Sequence, residues 1–228
     1  MRKCDCSLPW WHSGNGLRHP NYARHVSENF SRLTVVRHGQ STWNKLQKVQ
    51  GQNDEAQLTD EGRAMARSVA TEFAPHSFSR IISSDLQRAR QTAAIIADLL
   101  GLEVTFDERL RERSYGILET GPSSGVTPEL SGLDLVAQRV VDVEAKPDGG
   151  ESLREMYERT TSFLVELLSD DRDDQILLVS HGGPIRTMLS YASEVELHGL
   201  WWLPVGNCSW WPLETNYADV LSKGPLPS

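Results

Sequence analysis

A chain of 228 residues can bury one full hydrophobic core but hardly two. Its 23 basic residues against 31 acidic ones leave a formal charge of −8, which argues against a nucleic-acid footprint and against attraction to anionic lipid; an anionic ligand must be drawn by a local basic pocket. Three cysteines are too few and too scattered for a disulfide framework, and a reducing cytoplasm is the expected home.

Residues 1–31 have no helical or strand period. Trp10, Trp11, His12, His19 and His25 stand among Gly, Asn and Pro, and the segment is expected to be an extension, poorly ordered or laid across the surface. Cys4, Cys6 and His12 match no zinc spacing, so no metal site is expected there. No apolar run reaches signal-peptide length or the roughly 20 residues of a membrane span. One domain is expected over 32–215, with a tail over 216–228.

From residue 33 the pattern becomes regular. LTVVRHG reads as a buried strand. A helix then starts at Thr59, with Asp60 and Glu61 in a first turn where carboxylates suit the helix dipole, and with Met65, Val69 and Phe73 as its buried stripe. RIISS reads as a second strand feeding a helix over DLQRARQTAAIIADLLG that begins near Ser84. Leu86, Ala89, Ala93, Ile96 and Leu100 share one face of it, and Gly101 is its stop. A short strand near VTFDERL is followed by a poorly patterned Gly/Pro/Ser-rich segment from 116 to about 132. ESLREMYERTTSFLVELLS reads as a helix with Leu153, Met156, Thr160, Phe163 and Leu167 inward. QILLVSHGG carries four consecutive apolar residues, as a strand covered on both faces would, and GPIRTMLSYA opens a helix with Pro184 near its first position. Strands alternating with helices predict an α/β three-layer sandwich: a mainly parallel central sheet flanked by helices.

Two of the strands end alike, as VVRHG and LVSHGG. Ligands of open parallel sheets collect at the carboxyl ends of strands, so His38 and His181 point to a shared site, with Arg37 beside the first. Neutral imidazole is a good nucleophile near pH 7, and arginine binds a phosphoryl group through bidentate, charge-assisted hydrogen bonds. Positive neighbours disfavour the imidazolium and keep the attacking ring unprotonated. The glycine after each histidine, Gly39 and Gly182, would let backbone amides approach an anion closely. Taken singly, each candidate has a plainer reading: a strand-end histidine that solvates a loop, Arg88 as a solvated helix charge, Glu112 as a surface carboxylate, Asn44 as a turn residue. Arg186 reads as structural. Trp201, Trp202, Trp210 and Trp211 read as packing the core edge or lining a pocket rim.

RHGQSTWN resembles the signature of the histidine phosphatase superfamily, phosphoglycerate mutase-like branch. The likeness runs on through GQNDEAQLTDEGRAMA, IISSDLQRARQTA, LRERSYG, GGES and LVSHGGPIR to GNCSW, over residues 33 to about 211. It implies that His38 is the nucleophile that becomes phosphorylated, that Arg37 and Arg88 clamp the phosphoryl group, and that Asn44 contacts it. It further implies that His181, with Gly182 beside it, meets the phosphoryl oxygens, and that Glu112 is the general acid and base. Arg113 has two readings: it binds a substrate carboxylate, as its counterpart in mutases does, or it pairs with an acidic neighbour.

The implied activity is a phosphomonoesterase acting on a small phosphorylated metabolite through phosphohistidine, with no metal or other cofactor. A phosphoglycerate mutase is the alternative, and a catalytically weak phosphoprotein-docking module the third. The short span from Gly116 to Gly149 and PDGGESLREMYER resemble the phosphatase version, while LRERSYG resembles the mutase wording. Ser114 departs from the His or aromatic residue common at its place, and Thr120 stands where the glycine of a Glu-Gly pair is common. Expected partners are the small phosphorylated substrate, no nucleic acid and no membrane; the pattern is compatible with a homo-oligomer.

Overall fold

The computed structural model describes residues 32–134, 136–169 and 174–214. The expected extension over 1–31, with Cys4, Cys6 and His12, and the tail over 216–228 lie outside the described residues.

A five-stranded sheet forms the middle layer. Its strands are β1 (Leu33–Arg37), β2 (Phe78–Ser83), β3 (Val104–Phe106), β6 (Gln175–Ser180) and β7 (Trp210–Pro212), in the order β3-β2-β6-β1-β7. All neighbours run parallel except the edge strand β7, which is antiparallel to β1. A two-stranded ribbon of β4 (Leu133–Asp134) and β5 (Arg139–Val140) stands apart.

Because side chains alternate across a strand, each apolar run supplies both faces of the sheet. Val36, Ile81, Leu177 and Val179 join α2 (Asp60–Phe73) and α3 (Gln87–Leu100) in one core. Val35, Ile82, Ile176 and Leu178 join α5 (Leu153–Leu168) and α6 (Gly182–Ala192) in the other. Burying such a side chain contributes roughly 1.5–3 kcal/mol, so these paired faces, rather than helix propensity, hold the three-layer α/β sandwich together.

The helix starts follow local chemistry. The Thr59 hydroxyl accepts from the Gly62 amide at 3.0 Å to cap α2, and Ser152 with Glu155 closes a reciprocal capping box on α5. A third short helix, α1 (Thr42–Lys45), is capped in the same way by Ser41 and Asn44. Gly101, at φ +67°, ends α3 in the left-handed conformation that glycine tolerates.

Three details differ from the sequence reading. α3 begins at Gln87 instead of near Ser84, because the Ser84 hydroxyl accepts from the Leu86 amide and turns the chain, while the Gln87 amide is capped by the distant Asp54 carboxylate. Met65 and Leu167 are only partly buried; Ala66, Ala70 and Leu164 fill the faces beside them. The poorly patterned segment is built of 3-10 turns at Gly116–Leu118 and Ser123–Gly125, the one-turn helix α4 (Pro128–Ser131) and the β4-β5 ribbon. No helix among the described residues is long and apolar enough to cross a membrane.

Candidate active site

Strands β1 and β6 are neighbours in register, with Arg37 opposite Ser180, and the His38 amide donates to the Ser180 carbonyl at 3.0 Å. The next residue on each strand is therefore forced to the same end of the sheet. The His38 and His181 rings stand 5.1 Å apart, centre to centre, and both are buried. β2 adds the third side: the Ser84 hydroxyl lies 2.8 Å from His181 Nε2, and Arg88 follows as the second residue of α3. Glu112 arrives from the turn after β3.

Beside the histidine pair lies a cavity of about 220 Å³ lined by Arg37, His38, Arg88 and Glu112, with Gln50, Gly51 and an apolar wall. His38 Nδ1 lies 2.7 Å from the Gly39 carbonyl, which can only accept, so Nδ1 carries the proton and Nε2 keeps the lone pair. Burial, then Arg88 and Arg37, push the His38 pKa well below the ordinary imidazole value; the bond to Gly39 opposes this more weakly. His181 is lowered for the same reasons, with burial and Arg88 first. Both rings are neutral at pH 7. Arg88 is lowered to about 10 by burial, partly opposed by Glu112, and stays charged.

The two arginines are only partly satisfied. Arg37 gives Nη1 to the Val205 carbonyl, and Arg88 gives its Nη atoms to the carbonyls of Gly51 and Asn53 at 2.7 and 3.1 Å. Nε of each, and Nδ1 of His181, are buried without a hydrogen-bond partner. Buried nitrogens without partners are rare, and the two on the cavity-lining arginines fit an oxyanion that would occupy the cavity; His181 is not among the lining residues but stands beside His38. Among the described residues two other unpartnered side-chain nitrogens lie elsewhere: Arg80 Nε, which still faces the Asp174 carboxylate at 3.1 Å, and Trp211 Nε1 in the core.

The Glu112 carboxylate is aimed by the amide of Gly183 at 3.1 and 3.2 Å and by the amide of Arg113 at 2.8 Å. A Cβ on Gly183 would fall 2.2 Å from Glu112 Oε1, so glycine is what lets α6 start against this carboxylate. Glu119 ties the far side of the cavity, accepting from the amides of Gln52 and Tyr115 at 2.9 and 3.0 Å and so steadying the loop whose carbonyls hold Arg88.

His38, His181, Arg37, Arg88 and Glu112 are thus brought together. Asn44 sits at the margin. Its Oδ1 accepts from the Ser41 amide and from Asn207 Nδ2, which also holds the His38 carbonyl, so Asn44 ties the loop down and leaves only its own amide nitrogen for a ligand.

Arg113 does not join the site. Buried to 1% exposure, it donates to the carbonyls of Glu151, Ser131 and Ala145 and forms an ion pair with no acidic side chain among the described residues; it clips the described parts of 114–150 to the domain. The glycine reading also changes. The Gly39 amide donates to the Thr92 hydroxyl, and a Cβ there would meet the Gly62 carbonyl at 2.4 Å; Gly39 serves close packing against α2 and offers no amide to an anion. Gly182 opens α6, where a Cβ would meet Arg186 Nη1 at 2.9 Å, and the amide shown holding a site residue is that of Gly183. Ser84, Gly183 and Glu119 were missed in the sequence reading. For Gly183 the doubled glycine of SHGG was a usable signal; Ser84 and Glu119 act across the chain and leave no local one.

Compared with known proteins, residues 33–220 match the family described as "Histidine phosphatase superfamily (branch 1)". A Yersinia enterocolitica protein named "Probable phosphoglycerate mutase GpmB" is 38% identical over 191 residues, 83% of this chain and 87% of that protein. Among solved structures, a mycobacterial glucosyl-3-phosphoglycerate phosphatase in complex with VO3 aligns with TM-score 0.68 and 30% identity, over 78% of this chain and 90% of that one. A phosphoserine phosphatase from Entamoeba histolytica, in complex with 3-phosphoglyceric acid, aligns at 0.63 and 29%, over 78% and 87%.

Proposed function

We propose, from the premise that this chain belongs to the histidine phosphatase superfamily, that it is a metal-independent phosphatase of small phosphomonoesters working through a phosphohistidine at His38. The observation that carries the reading is the tautomer lock on His38, which leaves Nε2 with its lone pair in a cavity walled by Arg37, Arg88 and Glu112.

In the first step the Nε2 lone pair attacks phosphorus as the bond to the leaving oxygen breaks, and that oxygen takes a proton from the Glu112 carboxyl. Arg37, Arg88 and His181 stabilise charge on the three equatorial oxygens, and a well-placed donor of this kind contributes about 3 to 4 kcal/mol. In the second step Glu112 accepts a proton from water as the water oxygen attacks phosphorus. The P–N bond breaks, its electron pair returns to Nε2, and inorganic phosphate leaves.

The cavity of about 220 Å³, below the roughly 300–1,000 Å³ common for ligand pockets, suits a phosphoryl group with a small leaving group. A phosphoglycerate mutase is the second reading, favoured by the name of the Yersinia relative. It needs a substrate hydroxyl in place of water in the second step. Brief exposure to a chromogenic phosphomonoester followed by alkaline quenching is expected to trap an acid-labile phosphoprotein in the wild type and none in His38→Ala. Full turnover by His38→Ala, or a serine-linked phosphate, would sink the scheme. Interconversion of 2- and 3-phosphoglycerate faster than phosphate release would favour the mutase.

A further inference from the structure

We infer that the cavity selects a phosphomonoester whose leaving group is uncharged and presents an apolar edge, and discriminates against one that carries a carboxylate. This rests on the phosphatase reading above and concerns the half of the cavity that the phosphoryl group does not fill.

That half is walled by Val49, Val126, Leu133 and Trp202, with Tyr115 and Ser123 as neutral polar contacts. Burial and nearby Glu112 raise the Tyr115 pKa against the weaker opposing effect of Arg113 and Arg186, so its hydroxyl stays uncharged. Among the described residues that line the cavity, only Arg37 and Arg88 are cationic. A phosphomonoester brings a charge of about −1.5 to −2 at pH 7, which those two guanidiniums match and exhaust. A carboxylate on the leaving group would find no further cation among the described lining residues.

The other arginines around the cavity are engaged. Arg113 is taken by three carbonyls. Arg159 makes a two-point pair with Glu151 at 2.8 and 2.7 Å, and Arg186 donates to the Leu203 carbonyl at 2.6 Å while lying 4.4 Å from the centre of the Trp202 ring. Releasing one of them to meet a carboxylate would leave carbonyls or the half-buried Glu151 carboxylate unpaired, which is costly away from water. The apolar wall gains instead from a leaving group that removes Val126 and Trp202 from water.

The test compares matched substrates on the wild-type protein: phenyl phosphate with 4-carboxyphenyl phosphate, and glycerol 3-phosphate with 3-phosphoglycerate. In each pair kcat/KM for the carboxylated member is expected to be at least about tenfold lower. Ser123→Arg, at an exposed position on the rim, is expected to narrow the gap several-fold by supplying the missing cation. Parity or a preference for the carboxylated member in either pair, or an unchanged ratio in a folded Ser123→Arg protein, overturns the inference. If acid-labile phosphoprotein still forms, the phosphatase reading survives that result. If no substrate is cleaved and no phosphoprotein forms, that reading falls and takes the inference with it.

Discussion

The two halves of the cavity are built by different means. Its phosphoryl end is made by strands: β1, β6 and the β2–α3 junction set His38, His181 and Arg88 through backbone register. The opposite wall, residues 114–134 and 136–150, has almost no regular structure and is held by side chains reaching backbone groups, Arg113 to three carbonyls and Glu119 to two amides. Register is cooperative and tolerates the loss of one side chain, whereas a clip fails singly. Chemistry therefore sits on the rigid part, and discrimination between substrates on the part that single substitutions can reshape.

The sharpest way to break this division is at Arg88. Arg88→Ala removes one of the two lining cations and is expected to lower kcat/KM by about 10²–10³-fold. Because every substrate shares the phosphoryl group, the loss should be nearly equal across a phosphomonoester panel. A strongly substrate-dependent loss would mean that Arg88 reads the leaving group, and would blur the two halves.

Arg113 tests the other half. Arg113→Met removes three charge-assisted bonds to carbonyls and is expected to cost on the order of 3 kcal/mol in denaturant unfolding. Its effect on kcat/KM should differ between substrates, since Val126 and Leu133 move with the wall that it anchors. Arg113→Lys should rescue little, because one ammonium cannot reach three diverging carbonyls. Full stability with Arg113→Met would remove the clip.

The same division governs what was legible in the sequence. His38 and His181 could be read because an apolar strand ends visibly, and two such ends in one parallel sheet meet at one edge. Arg88 was readable as a site residue, but its helix was placed three residues early, because the cap that sets the start is Asp54, more than thirty positions upstream. Arg113 was ambiguous for a plainer reason: its targets at 131, 145 and 151 are backbone carbonyls in an unpatterned segment, and no periodicity encodes them.

A pH series separates the halves by charge. The fold lowers the pKa of both His38 and His181, so between those depressed values and about 6.5 the unfolded chain binds more protons than the folded one. Stability contributed by the neutral rings is complete above the unfolded value and is lost as pH falls below it, by up to about 1.4 kcal/mol per pH unit for each ring. Carboxylates also titrate in acid, so the readout is a difference. The fall in Tm between pH 7 and 5 should be steeper for wild type than for His38→Gln, and equally steep for Arg113→Met. Equal slopes in wild type and His38→Gln would mean that the ring is not held neutral.

The smallest effect lies in the wall itself. Thr120 has φ +72°, in the left-handed region that a β-branched residue rarely adopts, and it follows Glu119, whose carboxylate bridges the two halves. The conformation is held from outside: the Thr120 amide donates to the Val49 carbonyl at 2.9 Å and the Val49 amide to the Gly121 carbonyl at 2.8 Å, so the chain cannot relax without opening the loop beside Arg88. An L-residue there costs about 1–2 kcal/mol, while glycine loses roughly 0.5–1 kcal/mol through the greater freedom of its unfolded chain. The Thr120 side chain is exposed, so little burial is forfeited. Thr120→Gly is therefore expected to stabilise by about 0.5–1 kcal/mol, a rise in Tm of about 1–4 °C for a chain of this size. A lower Tm would mean that the hydroxyl or methyl of Thr120 makes a contact worth more than the strain, and that the wall is better fitted to its sequence than its irregular backbone suggests.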